Sequence, residues 1–217
     1  LGGYGNTGQP TADLLLRFST ARVVLAGRSL SKAEAAAAAL NARHHTDRVS
    51  AAQADAASLD SLKAAFAAAG AAIVVAASST SAHTATIARA ALETGTDYLD
   101  VQISNDKLAI LRGLSERIKA EGRCFITDGG FHPGLPALMV RYAAGCFDHL
   151  TRANVRSVIK IDWRALEFSQ ATIEEIVREF LDIDMRYYAA GRWQPASMWK
   201  LEYTDYGPPF GRQYAMP

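Results

Sequence analysis

The sequence predicts an α/β fold built on a doubly wound parallel sheet, and three observations predict it. Apolar runs of strand length alternate with helical patterns through the first two thirds of the chain, the connections between them are short, and a glycine-dense turn, "GGYGNTGQP", stands at residues 2–10. Alternation of this kind buries a parallel sheet between two layers of helices.

Each element has its own local reason. In "QPTADLLLRF" (9–18), Leu14, Leu15 and Phe18 recur at helical spacing, and Pro10 falls in a first turn where its missing N–H costs little. "RVVLAG" (22–27) is a β-branched apolar run suited to a strand buried on both faces. "SLSKAEAAAAALNAR" (29–43) is alanine-rich, with Ser29 or Ser31 as its cap. Strand and helix then alternate: 48–55 strand, 58–70 helix ended by Gly70, 71–78 strand, 83–95 helix stopped by glycine, 97–101 strand, 105–122 a long amphipathic helix, and "RCFITDGG" (123–130) strand into turn.

Near residue 148 the pattern changes. "HLTRANVRSVIKIDWRALEF" (149–168) has the alternation of an exposed antiparallel strand, and a Thr172-to-Glu175 capping box leads a helix with Ile173, Ile176, Val177, Phe180, Leu181 and Tyr188 on one face. Pro195, Pro208 and Pro209 follow among several aromatics. The expected organisation is one α/β domain over 1–147 and the incomplete start of a second, α+β domain over 148–217. Only Leu1 precedes the glycines, so the strand that should lead into them is expected ahead of residue 1.

The chain has 217 residues, 49% hydrophobic and 21% charged, enough to bury one large core and part of a second. A formal net charge of +1 supplies no basic field for nucleic acid and no bias toward a membrane surface. No apolar run reaches the roughly 18 residues of a membrane span, and no signal peptide is expected from the opening residues. Cys124 and Cys146 lie in no C-x-x-C or Cys/His cluster, so neither a disulfide framework nor a metal site is expected, and the setting expected is cytoplasmic.

Gly3, Gly5 and Gly8 fit G-x-G-x-x-G, with Asn6 and Thr7 inside it, the turn that lets a backbone approach a pyrophosphate at a helix N-terminus. The helix after it, the strand at 22–26 and Gly27-Arg28-Ser29 in the ribose-contacting place supply the context the motif needs. A Walker loop is not expected, because Gln9-Pro10 stands where lysine and a hydroxyl are required. An NAD-selective site ends this strand in Asp or Glu; Arg28, Ser29 and Lys32 instead suit a dianionic 2′-phosphate, so NADP is expected over NAD.

Asp55 could meet an adenine amino group or cap the next helix. Ala77, Ser78 and Ser79, in "AASSTSAHT" (76–84), fall at the carboxyl edge of the sheet, where small and hydroxylated residues admit a nicotinamide ribose, while Ser81 could also cap the helix that follows. "TDGGFHPGLPALMV" (127–140) brings Gly130, Pro133 and backbone donors to the same edge, with a helix from about Pro136. His132 and Asp128 are the candidates there for moving a proton; Asp100 and Asp128 could alternatively bond loop amides. His44 and His45 have no carboxylate or cysteine at ligand spacing and are expected at the surface. Gln102 stands four residues after Tyr98, which removes the Tyr-x-x-x-Lys pair of short-chain dehydrogenases.

"GGYGNTGQPTADLL", "VVLAGRSLSKA", "ADAASLDSL", "TGTDYLDV" and "DGGFHPGLPALM" together resemble the saccharopine dehydrogenase-like NAD(P)-dependent oxidoreductases, which include saccharopine reductases and carboxynorspermidine or homospermidine synthases. The last stretch is similar to that family's Gly-x-x-Pro-Gly-Leu segment, here Gly130 to Leu135. The resemblance covers most of residues 2–145 and implies a Rossmann domain with an inserted substrate domain, a small-molecule substrate and a homodimer. The segment after the fourth strand departs from the Gly-Pro-aromatic of relatives such as mycobacterial trans-acting enoyl reductases, reading Ser78-Ser79-Thr80-Ser81, which weighs against that branch. The function expected is hydride transfer between NADP and a C=N or C=O carbon of a small metabolite. The alternatives are an NADP-binding sensor or interaction protein without turnover, and an enoyl or carbonyl reductase of the same fold.

Overall fold

A computed structural model of the chain describes residues 1–131, 133–160, 162, 170, 173–174, 176–177, 181, 186–197 and 201–215. They form two compact units, Leu1–Leu135 and Pro136–Pro217. In the first, α1 (Gly8–Phe18), β1 (Val23–Gly27), α2 (Leu30–His44), β2 (Val49–Gln53), α3 (Leu59–Ala69), β3 (Ile73–Ala76), α4 (Thr84–Glu93), β4 (Asp97–Asp100), α5 (Asn105–Gly113), α6 (Ser115–Ala120) and β5 (Phe125–Ile126) succeed one another. All strand pairs are parallel: β1 with β2, β3 with β4 and β4 with β5.

Leu1–Gly3 lies between the two groups of strands. Leu1 donates to Val75 O at 2.6 Å and accepts from Ala77 N, while Gly2 N donates to Ala26 O at 2.8 Å. The order across the unit is therefore β2, β1, Leu1–Gly3, β3, β4, β5, reversing direction on either side of the segment that enters the glycine turn. A switch of order at the carboxyl ends of parallel strands opens a crevice there.

Helices cover both faces. Leu25 packs with Ala12, Leu16, Ala33, Ala37 and Leu40, whereas its neighbour Ala26 packs with Leu62, Phe66, Ile87 and Tyr98. Successive strand residues point to opposite sides, so α1 and α2 lie on one face and α3, α4 and α5 on the other. Serine caps start three of these helices: Ser29, Ser58 and Ser104 accept from the amides of Lys32, Ser61 and Lys107. Gly70, at φ 55°, ends α3.

Several expectations need correction. The core-facing residues of α1 are Gly8, Ala12 and Leu16, while Leu14 and Phe18 are exposed. The helix expected over 105–122 breaks at Leu114 beside Gly113, whose helix propensity is poor. Ser81 does not cap α4 with its side chain; it opens a 3₁₀ turn, Ser81–His83, ahead of the helix. His44 is not a bare surface residue: its Nε2 lies 2.8 Å from Asp13 Oδ1, tying α2 to α1 across a separation no local spacing reveals.

The second unit holds α7 (Leu135–Ala144) and two antiparallel hairpins, β6 (Arg186–Ala189) with β7 (Arg192–Pro195) and β8 (Glu202–Asp205) with β9 (Arg212–Ala215). Residues 149–160 form no strand among the described residues, and Thr172, Glu175 and Phe180 lie outside them. Tyr188 belongs to a strand rather than to a helical face. Ala190 and Gly191 take positive φ in the two-residue turn, and the Tyr188 ring meets Trp193 edge-on at 5.4 Å.

Ion pairs link helices in the first unit, and one sets an acid limit. Lys63 and then Arg89, each 2.7 Å from Glu93, hold its pKa down from 4.5 to about 2. The folded state binds this proton less readily than the unfolded chain, so the contribution is present near neutrality and is lost as pH falls from 4.5 toward 2. Asp13, lowered chiefly by its bond with His44, acts in the same sense. Urea midpoints measured from pH 7 to pH 2.5 are expected to fall below about pH 4.5, and Glu93→Gln to flatten part of that fall. An unchanged acid slope in the variant would contradict the assignment.

Candidate functional site

The glycine turn meets the requirements of an anion cradle at the switch point. The N–H of Gly5 donates to Gly2 O at 2.9 Å and that of Gln9 to Gly5 O at 3.1 Å, but the amides of Asn6, Thr7 and Gly8 have no acceptor among the described residues. They stand at the amino end of α1, where unpaired donors and the helix dipole favour an anion. The glycines have distinct reasons. A Cβ on Gly8 would overlap Gly2 O, so Gly8 serves close packing, whereas a Cβ on Gly5 would meet only Gly2 O, at 3.2 Å, leaving its outer side open to a ligand.

The turn after β1 stands next to this cradle. Arg28 and Lys32 are exposed, and Ser29 is half-buried. Gln53 donates to Arg28 O at 3.2 Å, which fixes the backbone and leaves the guanidinium toward solvent. Arg28, Ala52, Gln53, Asp55, Ser61 and Ala65 line a cleft of about 480 Å³ between the ends of β1 and β2 and the start of α3. Asp55 does not cap α3, a place Ser58 takes; its Oδ1 accepts from Ala57 N at 3.0 Å while its side chain remains exposed in the cleft. The cleft thus offers a cation, a carboxylate and an apolar floor of alanines.

Beyond β3, Ala77 is buried, Ser78 half-buried and Ser79 exposed. A Cβ on Gly2 would overlap the Ser78 side chain, so the Ser78 segment lies directly against the start of the glycine turn. Gln102 donates to Ser78 O, joining this segment to the end of β4. In the next segment, Gly129 N donates to Asp100 O at 2.8 Å, and Gly130 pairs in a bridge with Gly134 while accepting from Leu135 N. Gly130 and half-buried Pro133 are therefore set at the carboxyl edge of β4 and β5. His132 lies outside the described residues.

Asp128 belongs to a cluster centred on Lys107, a residue that the local sequence pattern does not single out. The Lys107 ammonium is fully buried and lies 2.6 Å from Asp100 Oδ1 and 2.8 Å from Asp128 Oδ1, and it donates also to Gln102 O. Asp100, equally buried, accepts from the Tyr98 hydroxyl at 2.8 Å, from Thr127 Oγ1 at 3.0 and 3.2 Å, and from Asp128 N at 3.2 Å. Asp128 is the open end: its side chain is 29% exposed, and its backbone sits at φ 59°, uncommon for a residue other than glycine. Burial first, and the Asp100 carboxylate second, push the Tyr98 phenol upward, so Tyr98 remains a donor to Asp100.

One signal in the sequence is nonetheless consistent with a buried Lys107. It falls one turn before Leu111 on the apolar face of α5, where a lysine needs a buried counter-charge. Among the described residues no group of His, Cys, Asp and Glu could hold a metal ion, and no helix is long and apolar enough to cross a membrane.

Comparison with known proteins agrees with this geometry. Residues 1–123 match the family described as Saccharopine dehydrogenase NADP binding domain. No protein of curated function matches the sequence significantly. Among solved structures, the fold is similar to apo histidine-tagged saccharopine dehydrogenase (L-Glu forming) from Saccharomyces cerevisiae, with a TM-score of 0.52 and 22% identity, covering 65% of this chain and 29% of that one. The chain thus spans less than a third of the length of that enzyme.

Proposed function

The chain belongs to the saccharopine dehydrogenase NADP-binding domain family, and from that premise we propose that it is the cofactor-binding part of an oxidoreductase moving hydride between NADP and a C=N or C=O carbon of a small metabolite. The observation that carries the reading is the sharing of one sheet edge by the open amides of Asn6–Gly8, the Arg28 turn, and the Asp100–Lys107–Asp128 cluster. Bound there, the nicotinamide would supply or accept the hydride, and the residues have only to orient it, keep water out and manage a proton.

In this reading the amides of Asn6, Thr7 and Gly8 and the open side of Gly5 hold the diphosphate. Arg28, with Ser29 and Lys32, meets the 2′-phosphate, and Asp55 faces the adenine. Ala77, Ser78, Ser79, Gly130 and Pro133 border the nicotinamide end. Asp128 would polarise the reacting group or relay a proton to or from the substrate nitrogen or oxygen, while buried Lys107 keeps the side chain in place. His132 is a second candidate for that role, on its place in the Gly130–Leu135 segment. Residues 1–147 would form the cofactor domain, residues from 148 would begin the substrate and dimer-forming domain, and the setting would be cytoplasmic.

NADPH oxidation across a panel of oxo acids, alone and paired with amines, tests the proposal. Turnover is expected on at least one member, with Asp128→Asn or His132→Ala lowering kcat about 10²-fold or more while NADPH affinity stays nearly intact. Tight NADPH binding without turnover on any member would favour a nucleotide-binding sensor instead.

A further inference from the structure

The Tyr4 side chain reaches from the glycine turn to the residue pair that follows β1. Its ring covers the backbone of Gly27: a Cβ built there would meet Tyr4 Cε1 at 2.6 Å and the hydroxyl at 2.8 Å, so only glycine lets the ring lie this close. The hydroxyl accepts from the Ser29 amide at 3.1 Å. The Tyr4 carbonyl, for its part, accepts from Gln9 Nε2 at 2.9 Å, which fixes the residue within the cradle.

A phenol hydroxyl has one proton to give as well as lone pairs to offer. The Ser29 amide occupies the acceptor side, and among the described residues no group accepts the proton. That proton is thus available beside Arg28 and Ser29, at the point where the cationic turn borders the diphosphate cradle. We propose that the Tyr4 hydroxyl is a specificity-determining donor to the 2′-phosphate of NADP, acting with Arg28 to separate the phosphorylated nucleotide from NAD. This rests on the cofactor placement proposed above. The chemistry is that of a charge-assisted hydrogen bond, stronger than a neutral one because the acceptor is a phosphate dianion. A ribose 2′-hydroxyl in the same place carries no such charge, so the donor would contribute far less to NADH.

The test is calorimetric titration of the unaltered chain and of Tyr4→Phe with NADPH, NADH and 2′,5′-ADP. Tyr4→Phe keeps the ring over Gly27 and removes only the hydroxyl. The expected result is about tenfold or greater weakening of NADPH and 2′,5′-ADP, with NADH changed less than about threefold. Equal weakening of NADPH and NADH, or no change in their ratio, would overturn the role of Tyr4 while leaving the NADP site standing. Failure of the unaltered chain to bind either nucleotide would overturn the site and the role of Tyr4 together. Should Tyr4→Phe fail to fold, a crystal of the unaltered chain with NADP decides: a phosphate oxygen within about 3 Å of the hydroxyl supports the assignment, and one beyond about 4 Å refutes it.

Discussion

Arg28→Asp is expected to weaken NADPH about 100-fold and NADH only a few-fold, read from dissociation constants measured by nicotinamide fluorescence. A hydrogen bond to a charged group contributes about 1.5–3 kcal/mol, or about 10- to 100-fold in affinity, and the aspartate adds repulsion toward a phosphate dianion. Arg28 is free to act this way: its backbone is tied by Gln53 while its side chain is exposed at the mouth of the cleft. Because that side chain is exposed, the difference between the two nucleotides should shrink as salt is raised, the Debye length being about 10 Å at 0.1 M. A variant that loses both nucleotides equally would show that the guanidinium does not meet the phosphate.

Lys107→Met is expected to destabilise the first unit by about 3–5 kcal/mol, the cost of removing one partner from a buried ionic cluster. The methionine fits the stem of the lysine, so packing changes little, but it strips Asp100 of its only cationic partner among the described residues. Asp100 is fully buried, and the hydrogen bonds from Tyr98 and Thr127 that remain carry no counter-charge. Urea denaturation should show a lower midpoint with an unchanged slope. Lys107→Met/Asp100→Asn should recover part of the loss, since it removes the stranded charge as well as its partner. A loss under about 1 kcal/mol in the single variant would mean that the cluster is hydrated and that Lys107 does not position Asp128.

The unequal legibility of this chain in its sequence has a physical origin. The glycine turn, the strands at 23–27 and 49–53, the cap at Ser29 and the glycine stop at Gly70 are decided by residues within a turn or two of one another. Such features are legible in the sequence. Contacts between distant residues are not. Lys107 finds Asp100 seven residues back and Asp128 twenty-one ahead, Tyr4 finds Ser29 across twenty-five, and His44 finds Asp13 across thirty-one. Each of these side chains looks solvent-bound or purely apolar until the sheet brings its partner alongside.

Tyr188 departs from its expected place on a helical face for a related reason, although residues 173, 174, 176, 177 and 181 are helical as expected. The stretch from 173 carries apolar residues at helical spacing, and Tyr188 continues the period. Yet pairing of Tyr187 and Tyr188 with Gln194 and Trp193, through a turn whose residues take positive φ, overrides that local pattern. The break in the helix over 105–122 is a milder case, in which Gly113 interrupts an otherwise continuous apolar stripe.

The most direct test of the nucleotide site is a crystal structure of the chain grown with NADP. The diphosphate should lie within hydrogen-bonding distance, about 3 Å, of the amides of Asn6, Thr7 and Gly8, with the 2′-phosphate beside the Arg28 guanidinium. Density for the dinucleotide elsewhere on the chain, or a glycine turn closed onto its own side chains with no nucleotide bound at saturating concentration, would contradict it.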